Sequence, residues 1–466
     1  MKEFVIKTFL LSVILFASAV SARAQIKVTA DEPIGKIKMM NSVNNGPQVP
    51  KKTQKKGNFE AYKAAGFPYA RLHDAPIRWD WGHTVDISCV FPDFKADVNK
   101  PESYDFTLTD KLISEIQAAG TKVFYRLGQS IEHWPKKYKV IPPEDFKKWA
   151  KICEHIIRHY NEGWAEGYHY DIDYWEIWNE PDLGFKAGRH LKCDSPTWNG
   201  TDKDFFKFYE IVANHLNKCF PDLKIGGPAL CEDHEWADRF LAYMSEHKVD
   251  MDFFSYHLYA GSVAQFQAKN KFIKGLLDKY GYKDVEMILN EWNYLSNWTD
   301  EFVYTIETIN SYKGAAYTAA IMQACQDGPV DMLMYYDARP GTGFNGLFNL
   351  YNSSTMPAYY ALYSWKKLRC AGTQVKTSVT GLKDVYATAA KSEDGRITLL
   401  VTYYTDDKEQ IAPIPVTIEF EGIKINEAIS HVTDKYKLHT ETPIEITDSR
   451  AQIFMEANSY ILIETR

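Results

Sequence analysis

The chain has 466 residues, 45% hydrophobic, 14% aromatic and 25% charged, which rules out a disordered, collagenous or small disulfide-stapled protein and allows a large core. Lys and Arg total 54 against 61 Asp and Glu, a net charge of −7 with no basic excess to point towards nucleic acid. A neutral or sparsely charged substrate is expected, and 12 Trp and 30 Tyr supply flat faces suited equally to sugar stacking and to core packing.

Residues 1–24 read as an export signal, with Lys2 and Lys7 ahead of an apolar run from Phe9 to Phe16 and small residues ending at Ala22-Arg23-Ala24. Cleavage near Ala24 and an exported, periplasmic or secreted, protein are expected. No later stretch is apolar enough to predict membrane insertion. Seven cysteines, at 89, 153, 193, 219, 231, 325 and 370, form no CxxC pair. They signal neither a zinc site nor a disulfide framework, and leave one or two bridges open.

From residue 30 to 362, short runs rich in Val, Ile, Phe and Tyr alternate with amphipathic stretches. Eight such runs stand out: Ile37–Val43, Tyr69–His73, Lys122–Leu127, Tyr174–Trp178, Lys224–Pro228, Phe253–His257, Met287–Asn290 and Met332–Tyr336. Between them, Phe146, Trp149, Ile152, Cys153, Ile156, Ile157 and Tyr160 draw one helical stripe, expected to start at Pro142-Pro143. Leu108, Leu112, Ile113, Ile116 and Ala119 draw another, with Thr107 or Thr109 as cap. Eight strand–helix pairs without a glycine-rich phosphate loop predict a (β/α)8 TIM barrel, with an open doubly wound sheet as the alternative. Residues 363–466 lose the helical period and alternate at period two, with Asp394-Gly395 as a hairpin signal. They predict a C-terminal antiparallel β-sandwich, a structural buttress with carbohydrate binding as the alternative.

The strongest chemical signal is Tyr174-Trp175-Glu176-Ile177-Trp178-Asn179-Glu180-Pro181-Asp182, a strand that ends in an amide and a carboxylate. Catalytic groups sit at the C-terminal ends of barrel strands, and Glu180 occupies that position after strand four. Asp182 reads as a helix cap. A second strand, Met287-Ile288-Leu289-Asn290-Glu291-Trp292-Asn293, ends the same way three strands later. In a closed barrel Glu180 and Glu291 can face each other across the mouth, and two facing carboxyl groups are the equipment for cleaving a glycosidic bond. One must hold a proton for the leaving oxygen while the other stays ionised, an arrangement that close approach favours until the nucleophile is esterified. His155 and His159, four apart on a helix, have metal-binding spacing, but without an HExxH arrangement a solvated helix face is expected.

The motifs Trp-Asn-Glu-Pro-Asp and Asn-Glu-Trp-Asn, with Asp252-Phe253-Phe254-Ser255-Tyr256-His257-Leu258-Tyr259 between them, resemble glycoside hydrolase family 39, which holds β-xylosidases and α-L-iduronidases. Family 51 arabinofuranosidases are a near alternative. The resemblance implies Glu180 as acid/base, Glu291 as nucleophile and retention of configuration. It implies Asn179 on the sugar 2-hydroxyl, His257 and Tyr259 lining the pocket with Tyr259 orienting Glu291, and Arg71 and His73 near the nucleophile. Trp292 and Tyr336 complete the expected binding set. Strand eight departs from the clan pattern, since Tyr335 and Tyr336 stand where a Trp platform is usual.

The expected function is exo-acting, retaining hydrolysis of a plant or gut polysaccharide fragment, β-xylosidase-like, with no cofactor or metal. A glycoside or oligosaccharide is the expected partner, and neither nucleic acid nor membrane is. Two competitors are a catalytically silent sugar-binding protein on the same scaffold and an endo-acting clan member. Both carboxylates are intact, which favours an enzyme.

Overall fold

A computed structural model describes residues 23–50, 56–73, 83–186, 189–190, 195–341, 343–409 and 412–466, with the side chains of 185–186 and 189–190 left aside. Residues 1–22 of the export signal and Cys193 lie outside this set. The chain divides into two units, Ile37–Arg369 on one hand and the segment up to Lys36 with Cys370–Arg466 on the other.

In the first unit eight parallel strands close into a barrel: Met39–Asn44, Tyr69–Arg71, Lys122–Leu127, Tyr174–Ile177, Lys224–Leu230, Phe253–Tyr259, Glu286–Asn293 and Met332–Tyr335. They are referred to below as strands one to eight. Each coincides with one of the apolar runs, and closure rules out the open-sheet alternative. Helices follow every strand, among them Thr107–Ala118, Phe146–Glu162, Asp202–Cys219, His234–Glu246 and Pro357–Ala371. The stripe on Phe146–Glu162 is buried from Trp149 to Tyr160, as its period requires. Its cap is Asp145 rather than the Pro142-Pro143 pair, because the Asp145 carboxylate accepts from the amides of Lys147 and Lys148. Thr107 and Thr109 likewise do not cap their helix, whose start follows Phe106.

His155 and His159 are buried rather than solvated. His159 stacks on Phe106 with ring centroids 3.6 Å apart and hydrogen-bonds Asp110 and the Trp164 carbonyl, so it belongs to the packing between helices. Asp182 accepts from the amides of Cys231, Glu232 and Asp233, and it organises the turn that leads into the helix after strand five.

The second unit is one continuous nine-stranded sheet whose inward residues share a single apolar core, including Ile26, Val28, Leu399, Val401, Val416, Ile418 and Ile463. The hairpin Val385–Lys391 to Ile397–Tyr403 turns at Gly395, as Asp394-Gly395 predicts. The expected boundaries at residues 30 and 362 shift. Ala24–Lys36 is a strand of this sheet, antiparallel to Thr373–Thr380 and parallel to Ile414–Glu421, while the last barrel helix runs on to Ala371. Ala24, Ile26, Val28 and Ala30 alternate inward, the period of a half-buried strand. Cys89, Cys153, Cys219, Cys231, Cys325 and Cys370 are unbridged. No helix among the described residues is long and apolar enough to cross a membrane.

Candidate active site

The barrel lumen is layered by strand alternation. Its lower layer is an apolar plug of Tyr69, Phe124, Tyr174, Phe253, Ile288, Met332 and Met334. Side chains two residues further along a strand take the same face, so Arg71, Arg126, Glu176, Ser255 and Asn290 form the layer above. All five are fully buried, and most of them join one network. Arg71 donates to Glu176 (Nε–Oε2 2.7 Å) and to Asn44 (3.2 Å). Glu176 also accepts from Ser255 at 2.6 Å and from Asn290.

At the mouth, two strands break their alternation. Trp178 and Glu180 have φ of 75° and 48°, left-handed values uncommon for such residues, so the chain leaves the pleat after strand four. Trp178 turns outward against Trp149, Trp198 and Phe208, while Asn179 and Glu180 enter the lumen network. Gly128 makes this possible, because a Cβ there would meet the Trp178 Cα at 2.9 Å. Strand seven carries a bulge: Leu289 pairs with Tyr256 but Glu291 with His257, so Asn290 is the extra residue and the parity of the strand flips. Asn290 and Glu291 therefore both face inward.

The carboxyl groups of Glu180 and Glu291 converge with His257, one ligating atom of each lying within 4.8 Å of the others. His257 Nδ1 is 2.7 Å from Glu180 Oε1 and 3.6 Å from Glu291 Oε2. Glu291 accepts from Arg71 Nη1 at 3.1 Å and from the Tyr259 hydroxyl at 2.7 Å. Arg71 Nη2 donates to Asn179 Oδ1 at 2.6 Å, which leaves the Asn179 Nδ2 donor buried without a partner. Both glutamates are 6% exposed, enough to be reached from the mouth but mostly dry.

Burial pushes the Glu291 carboxyl above its ordinary range, and the Glu180 charge adds to this, whereas His257, Arg71 and Tyr259 oppose it. Burial lowers His257 to about 4 despite the neighbouring Glu291, so its imidazole is neutral at physiological pH. His73 is also pushed well below its usual value by burial and then by Arg71 and Arg126. Burial opposes the Arg71 charge, but Glu176 and Glu291 outweigh it and keep the guanidinium firmly protonated. Glu180, His257 and Glu291 have the spacing of a cation site, yet the Arg71 guanidinium already supplies positive charge to Glu291.

Six of the nine expected site residues, Arg71, Asn179, Glu180, His257, Tyr259 and Glu291, are thus joined in one cluster of direct contacts. His73 lies two residues beyond Arg71, past the end of strand two, and is buried within reach of its charge. Tyr336 stands at the rim, its ring 6.4 Å from that of Tyr259. Trp292 does not belong to the site: the bulge turns it outward, fully buried against Phe266, Tyr317 and Tyr335. Tyr335 is likewise core, buried against Trp292. Glu132 clasps its own loop through the amides of Tyr138 and Lys139, and Gln129 accepts from Ser88.

Three groups escaped the sequence reading. Glu176 was visible as a charge in the middle of an apolar strand, where only a buried partner can hold it. Arg126 is salt-bridged to Asp86 at 2.7 Å, and its Nε and Nη1 are buried without partners. Trp298, on the loop after strand seven, lies against Tyr259 with ring centroids 5.5 Å apart.

The model of glycosyl hydrolases family 39 matches residues 25–339 of the chain. A β-xylosidase of Geobacillus stearothermophilus is 28% identical over 208 residues, 42% of this chain and 36% of that protein. One from Caldicellulosiruptor saccharolyticus is 26% identical over 180 residues, 36% of this chain and 34% of that protein. The matched stretches therefore span about a third of those relatives. Among solved structures, a glucosidase from Croceicoccus marinus shares the fold with a TM-score of 0.76 at 21% identity, covering 95% of this chain and 99% of that one. A monomeric β-xylosidase from Caulobacter crescentus CB15 does so with a TM-score of 0.68 at 16% identity, over 95% and 99% of the two chains. The chain belongs to glycosyl hydrolases family 39.

Proposed function

We propose that the chain is a retaining, exo-acting hydrolase of β-xylosides. The observation that carries retention is the approach of the Glu180 and Glu291 carboxyl oxygens to within 4.8 Å. Retaining enzymes hold their carboxyl groups about 5–5.5 Å apart, and inverting enzymes about 6.5–9.5 Å apart to admit a water. The xyloside assignment is supported by the two β-xylosidase relatives.

Glu291, fixed by Arg71 and Tyr259, attacks the anomeric carbon. The bond from that carbon to the leaving oxygen breaks as Glu180 gives that oxygen its proton, leaving a glycosyl ester on Glu291 and an ionised Glu180. Glu180 then takes a proton from water, the hydroxide oxygen displaces Glu291 from the anomeric carbon, and two inversions give net retention. Neutral His257, 2.7 Å from Glu180, hydrogen-bonds it without adding a positive charge that would hold it ionised. The free Asn179 Nδ2 donor suits the sugar 2-hydroxyl, a contact that strengthens as positive charge develops on the ring.

Export is part of the reading. Cleavage near Ala24 would free the chain at the start of the Ala24–Lys36 strand, and N-terminal sequencing of protein recovered from the periplasm or medium checks it.

The test is a panel of nitrophenyl xylosides, arabinosides, glucosides and iduronides, with the product anomer followed by proton NMR. Hydrolysis of the β-xyloside with β-xylose formed first is expected. Exclusive cleavage of another glycoside overturns the sugar assignment, and α-xylose as first product overturns retention.

A further inference from the structure

Strand eight brings Tyr336 rather than an indole to the rim, and an accessible indole beside it, Trp298, comes from the loop after strand seven. Trp298 is 58% exposed. Its ring is nonetheless fixed on three sides. It stacks on Phe302 with centroids 6.0 Å apart and an interplanar angle of 23°, lies 5.7 Å from Phe344, and meets Tyr259 edge-on at 5.5 Å.

The loop that carries it is rigid for a local reason. The Asn297 side chain accepts from the amides of Thr299 and Glu301, both at 3.0 Å, and donates to Asp300. The Ser296 amide donates to Thr305 Oγ1 at 3.0 Å. A large apolar side chain held still and left in water is the informative kind of exposure.

Its place in the barrel decides what it can touch. The Tyr259 ring that packs on Trp298 carries the hydroxyl bonded to Glu291, so one aromatic ring separates the indole from that carboxylate. In the closed strand order, strand eight is diametrically opposite strand four, which bears Glu180, and Trp298 lies on the seven–eight side with Phe344 and Tyr336. The leaving group departs towards Glu180, so the ring on the opposite wall is the glycone.

We propose that Trp298 is the stacking platform for the glycone, taking the apolar C–H face of a β-linked pyranose on its open side. The assignment rests on the hydrolase reading above and deepens it: the loop after strand seven supplies the aromatic surface that strand eight lacks. Indole and pyranose suit each other, since one presents an electron-rich face and the other axial C–H groups.

The test separates this platform from the hydrolase reading. Xylose is titrated calorimetrically into Glu291→Gln and into Glu291→Gln/Trp298→Ala enzyme. Trp298→Ala and Trp298→Phe are then compared with wild type on nitrophenyl β-xyloside and on xylobiose, after thermal melts confirm folding. A stacked ring predicts that Kd for xylose rises about tenfold without the indole. KM should rise by a similar factor on both substrates with kcat less affected, and Trp298→Phe should recover most of it. Unchanged Kd and KM, no xylose binding by the Glu291→Gln enzyme, or a KM effect confined to one aglycone overturns the proposal. Wild-type enzyme inactive on every glycoside, but with xylose binding weakened by Trp298→Ala, sinks the hydrolase reading and leaves the platform standing.

Discussion

One step of two residues along a strand separates Phe124 from Arg126, Tyr174 from Glu176 and Phe253 from Ser255, and it turns the lumen from an apolar plug into a charged network. The lower layer needs only volume and shape, and each side chain there stabilises the fold through the area it removes from water. The upper layer holds Arg71, Glu176 and Glu291 with almost no water, and such groups persist only where each charge has a partner. On the proposed mechanism the lower layer serves stability and the upper layer positions charge for chemistry. Substitutions should separate the two.

The largest expected effect is on turnover. Glu291→Gln should lower kcat by at least ~10⁴-fold. Its melting temperature should stay level or rise, because a buried charge beside Glu180 is gone. A variant that loses stability along with activity would erase the contrast between the layers. Glu180→Ala should cost about 10²–10⁴-fold, more for alkyl xylosides than for nitrophenyl xylosides, whose leaving group needs less protonation. Added azide should restore turnover by attacking the face that Glu180 vacates, and azide with no effect would count against the acid/base role.

The lower layer predicts the reverse pattern. Phe124→Ala should cost about 3–5 kcal/mol in denaturant unfolding with kcat changed much less. Arg71→Leu should combine both effects, because it strands Glu176 in the buried lumen and releases Glu291, so stability should fall by about 3–5 kcal/mol and activity should fall with it. The smallest effect sharpens the electrostatics. As the proposed nucleophile Glu291 must be ionised, and burial raises its carboxyl, so activity should fall on acidification around a midpoint above the ordinary glutamate range. The Tyr259 hydroxyl favours the anion, so Tyr259→Phe should move that midpoint higher and lower kcat about tenfold. A midpoint unchanged in Tyr259→Phe would mean that the hydrogen bond does not act on the titrating group.

The eight strands were legible because apolar, β-branched and aromatic runs between amphipathic stretches admit few readings, and the carboxylates at two strand ends were legible for the same reason. What escaped depends on contacts between distant segments. Ala24–Lys36 alternates visibly, but nothing local tells it to join strands near residues 375 and 418. The bulge at Asn290 leaves no clear mark in Met287–Asn293, yet it sends Trp292 to the core and Glu291 to the site. His155 and His159 share a helix face, and only the approach of Phe106, Tyr104 and Trp164 buries it. Trp298 sits in a polar loop, where spacing shows neither its exposure nor the ring beneath it.

Incubation with a 2-fluoro-xyloside bearing a good leaving group, followed by peptide mass spectrometry, bears most directly on the paired carboxylates. The account predicts one fluoroxylosyl group per chain, on the peptide that contains Glu291, with Glu180 unlabelled. A label on another residue, or steady hydrolysis of parent xyloside with no adduct formed at any time, would contradict it.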